Sequence, residues 1–188
     1  MITAREASIA MFGAWRLARF DAAGLEFFDN TVEAFWRSFY AALVVLPAYA
    51  ILFALRFHGV AVTSGPVTVF VVESIAYVIA WTAFPLAMFH LSRRLGRSKL
   101  YCRYIVAYNW ATVLQITLLL IVTGITQTDL LPRGLAALLT MIAMIGIMCY
   151  QWFIARSALE VTPPVAVGIV LLDLVISILL EGYANSLL

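Results

Sequence analysis

The sequence has little charge, few cysteines and few histidines. Charged residues make up 12% of 188 residues, and the formal net charge is +2. A soluble domain usually carries about 25% charged residues, and so small a net charge offers no basic surface for nucleic acid. The low charge therefore excludes an ordinary soluble domain and predicts no nucleic-acid partner.

Residues for metal, redox or hydrolytic chemistry are equally scarce. Cys102 and Cys149 lack the spacing of a metal site, and we expect both thiols to stay reduced. His58 and His90 fall at opposite ends of two apolar segments, about 30 Å apart, which excludes a bis-histidine haem. The chain has no HExxH, G-x-S-x-G or phosphate-loop motif. We therefore expect no cofactor and no metal, and the protein is predicted not to be an enzyme.

Apolar residues, in contrast, are abundant. They form 64% of the chain, whose mean hydropathy is +1.00. Such a composition predicts an all-α integral membrane protein, since a span of about 20 apolar residues crosses a bilayer as a helix. Turn and cap residues mark several boundaries: Ser64-Gly65-Pro66, Asp129 with Pro132, and Thr162-Pro163-Pro164. The five predicted spans are Ser38–Phe57, Pro66–Leu91, Tyr101–Thr123, Leu131–Ala155 and Pro163–Tyr183.

The distribution of basic residues orients these spans. Ten of the twelve Lys and Arg residues lie on one side, with only Arg56 and Arg133 on the other. Basic loops stay cytoplasmic, so the N-terminus is predicted inside and the C-terminus outside. The N-terminal sequence resembles no secretory signal, because Arg5 and Arg16 interrupt any apolar region. We expect a multi-pass protein of the cell inner (cytoplasmic) membrane, with the lipid bilayer as its first partner.

The chain divides into an amphipathic N-terminal interfacial segment, residues 1–29, and a five-helix transmembrane domain, residues 30–188. Asn30-Thr31-Val32-Glu33 reads as a capping box that begins the second part. The N-terminal segment is interpreted as an interfacial anchor of the bundle, and a lipid sensor or partner-docking helix is the alternative. The predicted membrane-interface anchors are Trp15, Arg16, Arg19 and Trp36.

Three spans carry residues at alternating spacings of three and four, which is typical of helix-packing seams. These stripes are Glu73, Ala76, Ala80, Ala83, Ala87 and His90 in the second span, Tyr101, Tyr104, Tyr108, Ala111 and Gln115 in the third, and Ala137, Met141, Met144, Met148 and Gln151 in the fourth. We expect all three to be packing surfaces.

Two acids fall inside the spans, where such residues usually face the bundle interior. At 1.5 Å per residue, Asp173 lies about 15 Å from the start of its helix, and Tyr108 and Asn109 lie at a similar depth on theirs. Glu73 and Gln115 share a second level about 10 Å from the outer boundary.

Equal depth predicts a buried polar seam between the second, third and fifth spans. Asp173 is expected to pair with Asn109 and Tyr108, and Glu73 with Gln115 or Arg56. Ser177 continues the Asp173 face outward, four residues along the same helix.

Five short-looped spans after an amphipathic segment resemble the Yip1 family of small polytopic membrane proteins. The resemblance covers Phe35 to Tyr183 and rests on topology. The Asp-Leu-Tyr-Gly-Pro signature of the Golgi members is missing, so their binding of small GTPases is not implied. The prokaryotic members imply only an undefined membrane role.

Two functions stay open at this stage. The favoured one is a non-enzymatic membrane accessory or scaffold protein that associates with itself or with a membrane-protein partner through helix faces. The alternative is a small proton- or cation-coupled carrier or channel subunit that uses Glu73 and Asp173. Five short helices are expected to leave little room for a water-filled path, which favours the first.

Overall fold

The computed structural model describes residues 2–57, 65–127 and 131–188. These residues form seven α-helices and two short 3₁₀ turns, and they contain no β-strand. The turns are Ala22–Phe27 and Ser98–Leu100. The α-helices are α1 (Ala4–Ala18), α2 (Val32–Ser38), α3 (Tyr40–Phe57), α4 (Pro66–Arg94), α5 (Tyr101–Thr126), α6 (Arg133–Leu159) and α7 (Pro163–Ser186).

Five helical segments are long and apolar enough to cross a membrane, and they make this a multi-pass, all-helical membrane protein. That part of the predicted fold is confirmed. The helices run further than the predicted spans: α4 ends at Arg94 and α6 at Leu159. Backbone hydrogen bonding continues beyond the apolar run there, and the basic side chains in both last turns interact favourably with the helix C-terminus.

The first span consists of two helices, α2 and α3, rather than one helix beginning at Ser38. The Thr31 side chain caps α2 and accepts a hydrogen bond from the Ala34 amide at 3.1 Å. Glu33 pairs with Arg37 (3.5 Å) instead of completing the predicted capping box, because it stands second rather than third in the helix.

The later helices begin close to the predicted boundaries. Pro66 and Pro163 occupy the first turns of α4 and α7, where a missing amide hydrogen costs nothing. Pro132 precedes α6 as its N-cap. Ser64, Asp129 and His58 lie outside the described residues.

Helix α5 is the centre of the bundle. Half of its apolar stretch is buried, compared with 17–22% for the other four spans. It packs against α1, α2, α3 and α6, while α7 packs against α6 and α4. Ala107 and Ala111 are fully buried on α5, and such small residues let neighbouring backbones approach closely in lipid.

Helix α1 packs on this centre through its smallest side chains. Ala10, Ala14 and Leu17 are buried against the core that α5 and α6 form. The Tyr150 hydroxyl donates a hydrogen bond to the Ala14 carbonyl at 2.7 Å, which ties α1 to α6. The following 3₁₀ turn folds back on α1 so closely that a Cβ at Gly24 would lie 2.7 Å from the Gly13 carbonyl oxygen. Glycine is required at this crossing.

Packing differs strongly along the bundle axis. We call the end that carries Arg93, Arg94, Arg97 and Lys99 the basic end. Fully buried residues such as Met88, Ile105, Ala155 and Leu159 concentrate in the half next to it, the basic half. The opposite, open half has fewer buried residues. Large apolar residues more than 60% exposed occur in both halves: Val67, Phe70, Val78, Leu179 and Tyr183 in the open half, and Val32, Trp36, Leu43 and Leu86 in the basic half. The basic half comprises residues 32–45, 84–94, 101–111, 150–159 and 163–170, and the open half comprises the remaining parts of α3 to α7.

Only one predicted stripe is a packing surface throughout. On α5, Tyr101, Tyr104, Ala111 and Gln115 are buried and Tyr108 is nearly so. The methionine stripe of α6 is wrong as a packing surface, since Met141 and Met144 are 53% and 42% exposed. The alanine stripe of α4 is largely wrong too. Its side chains are exposed or half-exposed apart from Glu73, and the residues buried on α4 are Val69, Glu73, Phe84, Pro85, Met88 and Ser92.

Candidate functional site

A partly open cavity with several polar side chains in its wall, which we call the polar cavity, lies between the helices above the basic half. Its volume is about 230 Å³, and side chains from α3, α4, α5, α6 and α7 line it. The polar lining residues are Tyr49, Tyr77, Tyr108, Thr112, Gln115, Gln151, Asp173 and Ser177. A cavity of this size and lining can hold several water molecules or a small hydrated ion.

Asp173 is the acid of this cavity. Only 7% of the residue is exposed, and the Tyr108 hydroxyl donates a hydrogen bond to its Oδ1 at 2.9 Å. The Gln151 side chain lines the same cavity. The predicted Asp173–Tyr108 pair is therefore present, and the Tyr108 hydroxyl holds the carboxyl at the cavity wall.

Two amides extend the polar wall. Gln151 Nε2 donates a hydrogen bond to Gln115 Oε1 at 3.3 Å, which joins α6 to α5. Gln115 Nε2 is buried and has no hydrogen-bond partner, although Gln115 lines the cavity. An unpaired buried N–H is costly unless water or a ligand satisfies it. Gln115 thus brings an unpaired N–H to the protein wall beside the cavity.

Aromatic rings separate the cavity from the basic half. The Phe84 and Tyr108 rings stack with centroids 4.6 Å apart, and Tyr104 contacts both rings. Tyr104 and Phe84 are each 2% exposed. In the other direction the lining continues along α7 through Ser177 to Leu180. The cavity is thus blocked toward the basic end and extends toward the open half.

Glu73 lies apart from Asp173, on the other side of a tyrosine pair. The Tyr49 hydroxyl donates a hydrogen bond to Glu73 Oε2 at 3.1 Å, while Oε1 is buried without a partner. The Tyr49 and Tyr77 rings lie 4.6 Å apart, and the Tyr77 hydroxyl donates to the Ala42 carbonyl at 2.6 Å. Tyr49 and Tyr77 therefore bridge α3 and α4.

The two tyrosines also connect two spaces. Both line the polar cavity and an apolar groove of about 370 Å³ between α3 and α4, whose wall includes Glu73. The predicted Glu73–Gln115 pair is wrong, since Gln115 accepts its bond from Gln151. The Arg56 side chain lies outside the described part of the chain.

Asn109 also departs from the predicted seam. Its Nδ2 donates a hydrogen bond to Ser38 Oγ at 2.8 Å, and both residues are buried. Asn109 and Tyr108 have nearly the same depth, but adjacent helical residues point about 100° apart. Tyr108 therefore faces α7, whereas Asn109 faces the junction of α2 and α3.

The predicted interface anchors all belong to the N-terminal part of the bundle. Trp15 and Trp36 are 55% and 66% exposed. Arg16 Nε donates to Asp21 Oδ2 at 2.6 Å, and this bond lowers the pKa of the Asp21 carboxyl. Arg19 is exposed at the end of α1. None of the four lines the polar cavity.

A second ion pair fastens the start of α1 to α2. Glu6 pairs with Arg37, and it also accepts a hydrogen bond from the Thr3 amide at 2.8 Å. The bond from Thr3 and then the guanidinium of Arg37 lower the pKa of the Glu6 carboxyl.

Sequence reasoning missed Tyr49, Tyr77 and Gln151 as site residues. Each is a polar group within an apolar run, and that was the available signal.

Among the described residues no group of three or more His, Cys, Asp or Glu side chains could hold a metal ion. The chain matches no protein-family model, no curated protein and no solved structure.

Proposed function

We propose that the protein is a small, non-enzymatic membrane carrier that binds a proton or a small cation at Asp173. The observation that supports this most directly is a buried carboxyl on the wall of a polar cavity within a five-span bundle. An acid at mid-membrane depth is costly and usually marks a proton or ion pathway. The cavity also removes the objection that five short helices leave no room.

The arrangement suggests an order of events. A proton or cation enters from the open half past Ser177 and binds at Asp173, where Tyr108, Gln151 and Gln115 supply polar neighbours. Tyr49, which lines the same cavity, hydrogen-bonds Glu73 at 3.1 Å. Glu73 is then the second acid of the path, reached by way of a hydroxyl group. Passage toward the basic end requires the Phe84–Tyr108 stack to move.

Proteoliposomes with an imposed pH or cation gradient test this proposal. Asp173→Asn is expected to lower the flux at least tenfold while the protein stays folded, since only the ionisable group is lost. Glu73→Gln is expected to lower it less. Glu26→Gln is the matched control, because Glu26 is exposed in the N-terminal part and outside the cavity lining, and its flux should equal that of the wild type.

We also propose an orientation and a location. The basic end faces the cytoplasm, the N-terminus is inside, and the C-terminus is outside, following the excess of basic residues on one side. The membrane is the cell inner membrane. A phosphatase fused after Leu188 should be active and a fluorescent protein fused there dark. The reverse pattern would contradict the orientation.

A scaffold that associates with a second copy or a membrane-protein partner is the second candidate. The open half favours it, because Phe70, Leu135 and Leu179 are 69%, 53% and 65% exposed there, and lipid or another helix can cover them equally well. If purified protein shows no acid-dependent flux while Asp173→Asn and Glu73→Gln reduce copurification of a partner, the scaffold replaces the carrier.

Residues 1–29 are proposed to anchor the bundle at the membrane interface. Phe12, Trp15 and Phe20 are each more than half exposed, and aromatic rings favour the headgroup level. The residues of α1 that are buried in the bundle are small, with Leu17 the exception.

A further inference from the structure

A third concavity lies at the basic end, and it shares no residue with the polar cavity. It is an aromatic groove of about 600 Å³ between α2 and α4. We call it the aromatic groove, and its lining residues are Val32, Phe35, Trp36, Phe39, Thr82, Pro85, Leu86, Phe89, Ser98, Tyr101 and Cys102.

The walls of the aromatic groove are held in place by ring contacts. Tyr101 packs against Phe35 and Phe89, with ring centroids 5.6 and 5.7 Å away. The Tyr101 hydroxyl donates to the Pro85 carbonyl at 2.9 Å, which fixes the floor against α4. Trp36 and Leu86, in contrast, expose 66% and 63% of their surface at the mouth. A long apolar chain can therefore lie between them without rearrangement of the floor.

Positive charge surrounds one end of the aromatic groove. The Arg93 guanidinium lies 5.4 Å from the centroid of the Phe89 ring, which is part of the wall. Ser98 lines the same end, and Lys99 follows it in the chain. Within the described residues neither Arg93 nor Lys99 forms an ion pair with a carboxylate.

Two acids of the neighbouring elements are already engaged. Glu33 on α2 pairs with Arg37 at 3.5 Å, and Glu160 at the end of α6 pairs with Arg103 at 3.5 Å. The groove end thus has unneutralised cations beside an apolar slot. That combination is complementary to an amphiphile with an anionic head.

We propose that the aromatic groove binds one anionic phospholipid of the adjacent leaflet. An acyl chain fills the slot between Trp36 and Leu86, and the phosphate lies within reach of Arg93, Ser98 and Lys99. A zwitterionic lipid offers the same acyl chain but brings its own cation, which Arg93 and Lys99 repel. The site is independent of the carrier proposal, because no residue of the polar cavity takes part.

Native mass spectrometry of the purified full chain tests the site. The protein in mild detergent is titrated with phosphatidylglycerol or with phosphatidylcholine of identical acyl chains. We expect one phosphatidylglycerol to bind at least tenfold more tightly than phosphatidylcholine. The double variant Arg93→Gln/Lys99→Gln should lose about thirtyfold in affinity for phosphatidylglycerol, as expected for two basic residues near a headgroup.

Two controls separate this site from general effects of charge or folding. Arg5→Gln/Arg133→Gln removes the same charge elsewhere on the exposed surface and should bind phosphatidylglycerol like the wild type. Leu86→Trp fills the slot and should weaken binding of both lipids, whereas Ile142→Trp, on the exposed face of α6, should not. Equal affinity for the two lipids, or equal losses in both double variants, would overturn the proposal. An unchanged affinity in Leu86→Trp would also overturn it.

Discussion

The two halves of the bundle are built differently from similar residues. In the basic half Met88, Ile105 and Leu159 are fully buried, and tyrosine and asparagine side chains hydrogen-bond across helices. In the open half, comparable residues such as Ile178 and Leu179 are 57% and 65% exposed. The polar cavity begins where the close packing ends, at the Phe84–Tyr108 stack.

The comparison shows what stabilises helix contacts in a bilayer. Lipid tails are as apolar as leucine, so burying an apolar side chain gains little by itself. Small residues and polar bonds make the difference, and both are concentrated in the basic half. In the open half, α3 and α4 are joined through Tyr49 and Tyr77, and space remains around Asp173.

Truncating one isoleucine in each half should give the largest contrast in stability. Ile105→Ala removes a fully buried side chain, and the resulting void should cost about 2 kcal/mol, at the lower end of the range for core truncations. Ile178→Ala, in the open half, should cost less than about 0.5 kcal/mol. Unfolding in mixed micelles of increasing dodecyl sulfate measures both, and equal costs would remove the distinction between the halves.

A smaller effect is expected from the buried amide–hydroxyl pair of the basic half. Ser38→Ala deprives Asn109 Nδ2 of its partner at 2.8 Å and should cost about 1 kcal/mol, within the range for bonds between membrane helices. Ser177→Ala removes a hydroxyl from the exposed wall of the cavity and should cost nearly nothing. The same unfolding assay compares them. If Ser38→Ala leaves the free energy of unfolding unchanged, the Asn109–Ser38 hydrogen bond contributes no stability.

The smallest effect concerns the attachment of α1. The hydrogen bond from the Thr3 amide and then the guanidinium of Arg37 lower the pKa of Glu6 in the folded protein, so both interactions contribute stability above the ordinary pKa of a glutamate. This contribution is lost as the pH falls through the lowered pKa. Glu6→Gln should therefore speed proteolysis near the N-terminus about twofold at pH 7, as for a surface pair, and the effect should shrink as the pH falls below the ordinary pKa. An effect of the same size at acidic pH would assign it to something other than charge.

The sequence predicted well how deep a residue lies in the membrane, but it predicted poorly which neighbouring helix the side chain faces. Counting residues placed Asp173, Tyr108 and Asn109 at one level, and Asp173 does pair with Tyr108. Asn109 lies at that level but on another face, and it binds Ser38. Depth follows from a fixed rise per residue, whereas the direction of a side chain depends on how each helix is rotated against its neighbours.

The predictions from the helix stripes had the same weakness, because residue spacing alone does not show which face of a helix packs against protein. Tyrosine and glutamine identified the packed face of α5 because polar groups avoid lipid. Alanine and methionine face lipid or protein equally well, so the stripes of α4 and α6 gave no information about sidedness. Tyr49 and Gln151 were missed because neither helix partner could be known in advance.

Access of water to the cavity tests the central claim most directly. In a Cys102→Ser/Cys149→Ser background, Ser177→Cys places a thiol on the cavity wall, and Ile105→Cys places one in the basic half. We expect a charged, water-borne methanethiosulfonate to modify the first within minutes from the side opposite the basic end and to leave the second unmodified. If Ser177→Cys reacts only with a lipophilic reagent, the cavity faces lipid and cannot carry protons or cations to Asp173.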